Sequence, residues 1–278
     1  MARVWLITGC SSGFGEQLTR EVLSRGDKVI ATARNSSRLD ALKSAGADVL
    51  ELDMTLSSLE MQEVAKKAIA IHGHIDVLVN NAGSVLAGAI EELSTEEWSR
   101  QFQTNFFGHV NLTTAVLPHM RERRSGTIVF VSSVAAWTVF PAGAAYNTTK
   151  AALSMLSETL SVEVESFGIK VCNIEPGYFR TPLPEKAKSA TPMAAYDNTV
   201  VGQSRDLLAY VEPYIKGDLK KGCRAIVDVL TGKGGREVPT RLLLGNDAAV
   251  MVKGRCEAVL QGVEDFKPVL GNTDIDEA

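Results

Sequence analysis

The chain has 278 residues, a formal net charge of −4, and apolar residues at 45% of its positions. The small negative charge gives no electrostatic reason to expect nucleic acid or an anionic membrane as a partner, while the apolar content is sufficient for a large core. No apolar run approaches the roughly 20 residues that span a bilayer, and the chain starts without the basic segment and cleavage site of a signal peptide. We therefore expect a cytoplasmic protein without a membrane span.

The spacing of cysteines and histidines argues against a metal site and against a serine–histidine–aspartate triad. The four cysteines are far apart and match no ligand spacing, so reduced thiols are expected. None of the four histidines flanks a nucleophile motif or joins the cysteines in a metal-binding set. The chemistry must therefore come from other residues.

Short apolar runs alternate with segments of helical spacing, which predicts a parallel sheet covered by helices on both faces. The predicted strands, in chain order, are Val4–Thr8, Lys28–Ala33, Asp48–Leu52, Ile75–Val79, Thr127–Ser132, Lys170–Glu175 and Arg241–Leu244. The predicted helices lie near residues 14–25, 58–71, 95–123 and 145–167. In the last of these, apolar residues from Leu153 to Phe167 recur at helical spacing and share one face. The sequence thus predicts an α/β fold, a doubly wound parallel sheet of about seven strands, in a single domain over residues 1–278.

A glycine-rich segment follows the first predicted strand and opens the first predicted helix. Its spacing, Thr-Gly-x-x-x-Gly-x-Gly over residues 8–15, lets backbone N–H groups approach a pyrophosphate, which the positive end of the helix also favours. Sheets of this kind bind ligands beyond the carboxyl ends of their strands, where this segment and the motifs below all fall. We therefore expect a dinucleotide in contact with Gly9, Ser11, Ser12, Phe14 and Gly15.

The choice between NAD and NADP is read at the end of the second predicted strand. A fold that prefers NAD places a carboxylate there for the ribose 2′-hydroxyl, but residues 30–35 contain no acid. Arg34 can instead pair with a 2′-phosphate through its planar guanidinium, and Ser11 is a second possible donor. The residues favour NADP(H); a solvated charge at the strand end is the alternative interpretation of Arg34.

The pattern of Ser133, Tyr146 and Lys150 predicts proton transfer beside the cofactor. Tyr146 and Lys150 are four apart and so share one face of a helix. A positive charge ~4 Å away stabilises a phenolate by about 4 kcal/mol at an effective dielectric of ~20, which would bring the tyrosine pKa near neutrality. Ser133, at the end of an apolar strand, can donate to a substrate carbonyl oxygen. Since a carbonyl reduction needs a hydride from the cofactor and a proton from the protein, the pattern predicts a nicotinamide-dependent oxidoreductase.

In this order the motifs resemble the short-chain dehydrogenase/reductase family, in its compact single-domain branch with a Rossmann fold. Segments such as Ile-Thr-Gly-Cys-Ser-Ser-Gly, Ile-Ala-Thr-Ala-Arg-Asn and Ile-Glu-Pro-Gly are similar to the 17β-hydroxysteroid dehydrogenase-like and retinol-type members. Those members act mostly on bulky apolar alcohols and ketones. Phe14 stands where an isoleucine is usual.

The resemblance also implies roles for residues that the pattern alone leaves open. Asp53 is expected to meet the adenine and Asn80 to lie on the adenosine side. Asn105 is the fourth catalytic position, whose side chain and helix kink hold a water that links Lys150 to solvent. In the turn after the sixth strand, Thr181 is expected to reach the nicotinamide carboxamide and the Phe179 backbone to line it. Lys150 would also bind the nicotinamide ribose hydroxyls.

The substrate side is less defined. Residues 178–235 are expected to form a substrate lid, and residues 246–278 a C-terminal helix and tail. Apolar residues of the lid could line a pocket or form the core of the lid itself: Met193, Tyr196, Leu207, Leu208, Tyr210 and Tyr214. A small-molecule carbonyl or alcohol substrate is more strongly expected to contact the loop between Ser133 and Tyr146, because this loop connects two catalytic residues. Its apolar residues are Trp137, Val139 and Phe140.

Two other classes of function remain open at this level. One is a nucleotide-binding scaffold or redox sensor that has the fold without the activity. The other is an epimerase or cyclase that uses the same pocket without net redox chemistry. A homodimer or homotetramer is expected, because the helices near 108–123 and 145–167 pair across subunits in many relatives of this family.

Overall fold

The computed structural model describes residues 2–181, 188–210, 215–271, 273 and 275, with the side chains of residues 188 and 206–210 left out. Its centre is a parallel sheet in the order β3-β2-β1-β4-β6-β7-β9. These strands are β1 (Val4–Ile7), β2 (Lys28–Ala33), β3 (Asp48–Glu51), β4 (Val77–Asn80), β6 (Gly126–Val131), β7 (Ile169–Pro176) and β9 (Arg241–Leu244). All seven predicted strands are present, and the doubly wound parallel sheet is confirmed.

The helices cover both faces of this sheet. In chain order they are α1 (Gly13–Ser24), α2 (Asp40–Ser44), α3 (Ser58–His72), α4 (Thr95–Phe102), α5 (Gly108–Arg123), α6 (Ala144–Val164), α7 (Val200–Tyr210), α8 (Leu219–Leu230), α9 (Asn246–Asp265) and α10 (Lys267–Leu270). Among the residues that the structure describes, none of these helices is long and apolar enough to cross a bilayer. The same described ranges contain no cluster of three or more potential metal ligands.

Six of the seven strands, all except β9, contribute alternate side chains to two separate cores. Trp5 and Ile7 of β1 pack on one face with α1 and α8, while Val4 and Leu6 pack on the other with α3, α5 and α6. This alternation follows from the two-residue repeat of a strand, and it requires strands that are apolar on both faces. The predicted apolar face of α6 is confirmed: its members and the nearby Phe167 are buried in the second core or packed against it, namely Leu153, Leu156, Leu160, Val164 and Phe167.

The segment predicted as one helix over residues 95–123 is interrupted. A π-helical turn, Gln103–Phe107, lies between α4 and α5 and places Asn105 in the interior. A small second sheet was also missed: β5 (Leu86–Ala87) pairs in parallel with β8 (Lys188–Ser189) and joins the start of the predicted lid region to the loop after β4. These strands have two residues each, which is too short for a periodic signal.

Candidate active site

The strand order reverses between β1 and β4, and the motifs found in the sequence meet at that point. β1 pairs with β2 on one side and with β4 on the other, so the connections leave in opposite directions and open a cleft at the carboxyl ends. The glycine turn after β1 forms one wall of this cleft. The segment of residues 81–83 after β4 forms the facing wall.

The glycine turn packs so closely against the facing wall that side chains would not fit. Gly9 has a φ of +71°, and a Cβ there would lie 2.8 Å from Ala82 Cα. A Cβ on Gly15 would lie 2.5 Å from the Gly9 carbonyl oxygen and 2.6 Å from the Asn81 amide nitrogen. Asn81 closes the contact from its side, since its Nδ2 donates to the Thr8 carbonyl at 2.7 Å. The two glycines therefore hold the turn in position.

The N-terminus of α1 faces this cleft and suits an anion. Ser12 is the N-cap residue with an extended backbone, and its side chain caps none of the helix amides in the described structure. The first N–H groups of a helix have no partner within the helix, and with the helix dipole they favour a phosphate. Gly13 and Phe14 of this terminus line the cleft. The residues present thus fit the pyrophosphate of a dinucleotide.

The cleft has a volume of about 380 Å³. Seven of the residues expected to contact the cofactor line it: Gly9, Ser11, Ser12, Phe14, Arg34, Asp53 and Thr181. The sequence analysis missed other lining residues, most notably Arg38, which is four residues after Arg34 in the segment that follows β2. Two arginines and no carboxylate therefore follow β2 at this wall. The spacing Arg-x-x-x-Arg was the available signal.

Gly15, Asn80 and Phe179, which are also expected to contact the cofactor, are not among the residues that line the cleft. Gly15 packs beneath the glycine turn, as described above. Asn80 is fully buried, and its Nδ2 donates to Thr113 Oγ1 at 3.0 Å, so its side chain faces α5 instead of the adenosine side. Phe179 is also buried, and its ring packs edge-on against Phe14 at 5.3 Å between centroids.

Ser133, Tyr146 and Lys150 come together at the carboxyl end of β6, where helix α6 begins. The Ser133 side chain is close enough to the Tyr146 phenol to lower its pKa, and its Oγ accepts from the Ala135 amide at 3.1 Å. Lys150 Nζ donates to the Val131 carbonyl at 2.6 Å and lies 5.6 Å from the centre of the Tyr146 ring. Ser133 and Tyr146 are partly exposed, whereas Lys150 is only 4% exposed. The three residues therefore form one contiguous group with an accessible hydroxyl pair and a buried cation.

Burial controls the protonation of this group. It raises the pKa of the Tyr146 phenol, and the Ser133 side chain only opposes that rise. It lowers the pKa of Lys150 to about 8. The expectation that Lys150 brings the phenol pKa near neutrality is therefore wrong in this structure, because desolvation dominates and the ammonium group donates to Val131. The phenol keeps its proton at neutral pH.

Asn105 connects the cleft wall to the helix that carries Tyr146 and Lys150. Its Oδ1 accepts from the Ser84 amide at 2.9 Å, and its Nδ2 donates to the Ser84 carbonyl at 2.9 Å and to Thr149 Oγ1 at 3.2 Å. Ser84 lines the cleft, and Thr149 precedes Lys150. These long-range bonds lie at the π-helical turn, where the ordinary helical bonding pattern is interrupted.

A buried histidine supports the wall opposite the glycine turn. His109 of α5 is fully buried, and its Nε2 hydrogen-bonds to the Ala82 carbonyl at 2.8 Å. Burial lowers its pKa to about 3, so the ring is neutral at physiological pH and Nε2 carries the donated proton. No motif in the sequence indicates this role.

The aromatic loop between Ser133 and Tyr146 is not arranged as expected. Trp137 packs against α9, and its indole Nε1 donates to Glu175 Oε2 at 2.9 Å. Val139 is 83% exposed, while Phe140 packs edge-on against Tyr178. In the lid region Met193 is exposed and Tyr196 partly exposed. The expectations for Leu207, Leu208, Tyr210 and Tyr214 concern side chains outside the described part of the chain.

A parallel sheet whose strand order reverses at a cleft, next to the group of Ser133, Tyr146 and Lys150, is typical of a dinucleotide-binding α/β fold. Comparison with known proteins identifies the family. Residues 3–192 match the family model described as short chain dehydrogenase. A solved short-chain dehydrogenase from Streptomyces avermitilis is 40% identical with a TM-score of 0.88, over 98% of this chain and 100% of that one. The chain belongs to the short-chain dehydrogenase family of oxidoreductases.

Two characterised relatives match part of the chain. A 3-ketodihydrosphingosine reductase of Bacteroides thetaiotaomicron is 39% identical over 64% of this chain and 65% of its own length. Retinol dehydrogenase 8 of Homo sapiens is 36% identical over 71% of this chain and 65% of its own length. The chain thus spans just under two thirds of these relatives. More distant structures with TM-scores of 0.68 to 0.73 are complexes with NADH or NADP.

Proposed function

We propose that the protein is an NADP(H)-dependent carbonyl reductase that also runs in reverse as an alcohol dehydrogenase. The observation that carries the proposal is the contiguous group of Ser133, Tyr146 and Lys150 at the carboxyl end of β6, beside a cleft that fits a dinucleotide. Bound nicotinamide would supply the hydride. The remaining requirements, a proton and a polarised carbonyl, fall to the residues of the chain.

In the reducing direction, one hydride and one proton add across a carbonyl to give an alcohol. Ser133 donates a hydrogen bond to the carbonyl oxygen and stabilises the negative charge that develops there. Tyr146 gives its phenolic proton to the same oxygen. The phenol is protonated at neutral pH, so a proton is available when hydride transfer turns the carbonyl oxygen into a strongly basic alkoxide.

Lys150 and Asn105 return the proton to Tyr146. Lys150 Nζ lies 5.6 Å from the centre of the Tyr146 ring, and its pKa of about 8 lets it exchange a proton near neutral pH. We assign to Asn105 the holding of a water that connects Lys150 to solvent. The bond from Asn105 to Thr149, next to Lys150, supports this role. Lys150 would also hold the ribose hydroxyls of the nicotinamide half.

The preference for NADP(H) rests on the wall of the cleft after β2. Arg34 and Arg38 both line it and are exposed, so both can reach a 2′-phosphate from solvent-facing positions. Asp53, on the same wall, would meet the adenine. Near the other end, Thr181 would reach the carboxamide, while Phe179 and Asn80 could contact the cofactor only through their backbones.

Cofactor preference is tested by titrating NADPH and NADH into variants. Removing Arg34 should weaken NADPH binding by about ten-fold to one hundred-fold, the value of a charge-assisted hydrogen bond, with little effect on NADH. Ala33→Asp combined with Arg34→Ala should reverse the preference, since the new carboxylate accepts from a 2′-hydroxyl and repels a phosphate. A double variant that still prefers NADPH would overturn the assignment of Arg34.

The substrate class proposed is a bulky apolar ketone or secondary alcohol. Two relatives are named for 3-ketodihydrosphingosine and for retinol, an oxygen function on a long hydrocarbon skeleton in each case. We expect the protein to act on soluble or dispersed substrates of this kind in the cytoplasm, as a homodimer or homotetramer. Light scattering of the purified protein measures the assembly.

The activity is tested by NADPH consumption over a panel that runs from small aliphatic ketones to steroids, quinones and long-chain keto lipids. Tyr146→Phe should abolish turnover and leave the affinity for NADPH unchanged, because the phenyl ring keeps the packing and loses only the proton. Near-normal rates in this variant would refute the proposed function. Turnover confined to the small ketones would refute the substrate class alone.

A further inference from the structure

Glu175, near the end of β7, is a fully buried carboxylate whose two oxygens accept four hydrogen bonds. Oε1 accepts from Ser154 Oγ at 2.9 Å, from Asn173 Nδ2 at 2.8 Å and from Arg241 at 2.7 Å. Oε2 accepts from the Trp137 indole at 2.9 Å. Every partner is a donor, so the site is matched to a carboxylate and to no other side chain of that size.

One branch of this network leads to the backbone beside Ser133. Trp137 ends the short turn that Ser133 begins, and within that turn the Ala135 amide donates to Ser133 Oγ at 3.1 Å. The Arg241 guanidinium lies 4.6 Å from the centre of the Trp137 ring, so the ion pair contacts the indole from its face as well as from its N–H. The network therefore fixes the Trp137 end of the turn, and the internal bond from Ala135 carries that position to Ser133.

The other branch leads to the backbone of Lys150. Ser154 stands one helical turn after Lys150 on α6, and its hydroxyl lies 3.0 Å from that of Ser132. Because Ser154 gives its proton to Glu175, Ser132 is the donor between the two hydroxyls, and it shares its single proton between Ser154 and the Lys150 carbonyl oxygen at 2.9 Å. Ser132 also immediately precedes Ser133, so this branch ties the end of β6 to the helix that carries the proposed proton donor.

We propose that Glu175, with Arg241 as its counter-ion, is a positioning residue that holds Ser133 and Lys150 in register from behind the active site. A buried ion pair adds little net stability, because desolvation offsets most of the attraction, so stability alone does not explain it. The inference rests on the proposed function, since it assigns Glu175 to the same reaction. Glu175 is not among the residues that line the cleft, so its effect must pass through Trp137 and the two serines.

Glu175→Gln is the sharpest probe, because it keeps the shape and introduces one mismatch. The amide has one acceptor and one donor end, so whichever way it turns, an NH2 group faces a donor. Glu158→Gln is the matched control: Glu158 is the other acid bonded to Arg241, and it is partly exposed. Ser154→Ala removes a single hydroxyl and serves where the glutamine variant does not fold.

Each variant is measured for kcat on the best ketone, for NADPH affinity, and for amide hydrogen exchange over residues 133–143. Glu175→Gln should lower kcat by about ten-fold to one hundred-fold, the effect of a displacement of catalytic groups by a fraction of an ångström to an ångström. Ser154→Ala should lower kcat in the same direction. NADPH affinity should stay within about two-fold in both, a split that general destabilisation does not produce. Exchange over residues 133–143 should be faster in Glu175→Gln.

The inference is overturned if Glu175→Gln and Ser154→Ala keep kcat within about two-fold of the parent, or if Glu158→Gln loses as much as Glu175→Gln. Unchanged exchange over residues 133–143 in a folded Glu175→Gln also overturns it, and that measurement needs no turnover. Failure of the parent protein to reduce any ketone would instead count against the proposed function. The two failures are therefore distinguishable.

Discussion

Replacing Lys150 with methionine should inactivate the protein and at the same time make it more stable. Lys150 is 4% exposed, and burial lowers its pKa from 10.5 to about 8. At about 1.36 kcal/mol for each pKa unit, this difference corresponds to about 3 kcal/mol of stability lost by keeping the ammonium group charged in the interior. Methionine has a similar length and removes that cost.

Part of the gain is offset. The ammonium group donates to the Val131 carbonyl at 2.6 Å, and methionine leaves that carbonyl without its partner. A hydrogen bond of this kind contributes about 1.5–3 kcal/mol, so the net stabilisation expected below pH 8 is about 1 kcal/mol. A residue that costs stability at this position is consistent with a functional role, since active sites commonly reduce stability.

The dependence on pH separates the charge from the packing. In the unfolded chain Lys150 holds its proton to about pH 10, and in the folded protein only to about pH 8. Between these values the unfolded state binds more protons, so the stability of the parent rises with pH relative to the methionine variant. The advantage of the variant is therefore full below pH 8 and shrinks as the pH rises toward 10.

Urea unfolding of both proteins from pH 6 to 10, followed by circular dichroism, measures this difference. Buried thiols complicate each curve alone: burial raises the pKa of Cys10 to about 11 and that of Cys172 to about 12, so both proteins lose stability above pH 9 as the unfolded thiols ionise. That loss cancels in the difference. Lys67→Met, at an exposed lysine of α3, is the control and should show no pH-dependent gap. A gap for Lys150→Met that is constant between pH 7 and 10 would refute the reasoning.

Two further predictions concern the glycine turn and the thiols. Gly9→Ala should destabilise the protein by more than the ~1–2 kcal/mol of a left-handed backbone alone, because the new methyl group would lie 2.8 Å from Ala82 Cα. Gly73→Ala is the control for the backbone cost by itself, since Gly73 has a φ of +78° and open space around it. Equal losses of stability in thermal unfolding of the two variants would contradict the clash. A thiol reagent should modify Cys256 rapidly in the native protein and the other cysteines only on unfolding, because Cys256 alone of the four is exposed. The control variant Cys256→Ser should show no rapid reaction. A second rapidly reacting thiol would contradict the burial of the other three cysteines.

The sheet could be predicted from the sequence because each strand is a local signal. Lys28–Ala33 and Arg241–Leu244 have the bounds expected, and the other strands differ by a residue or two at their ends. Short apolar runs between amphipathic helices identify such strands without knowledge of their neighbours. The glycine turn is equally local, since its spacing lies within eight residues.

The features that could not be predicted depend on contacts between distant segments. The continuous helix expected over residues 95–123 contains a π-helical turn at which Asn105 bonds to Ser84 and Thr149. Trp137 was assigned to the substrate because it lies between two catalytic residues, but its indole N–H finds its acceptor in Glu175, far along the chain. Spacing arguments contain no information about which partner a buried donor will find.

The error about Tyr146 has a similar origin, and it identifies what a sequence can still offer. The four-residue spacing between Tyr146 and Lys150 indicates that the two side chains are close. It contains no information about burial, which raises the phenol pKa where the charge of Lys150 was expected to lower it. Yet buried polar residues stand at the ends of apolar strands, at Thr8, Asn80, Ser132 and Glu175, where the carboxyl edge of the sheet faces the site. Each costs free energy unless it is hydrogen-bonded, so a polar residue at the end of an apolar strand is itself a signal of a built site. Glu175 fits that rule, although the Ile-Glu-Pro-Gly segment that contains it assigns it no role.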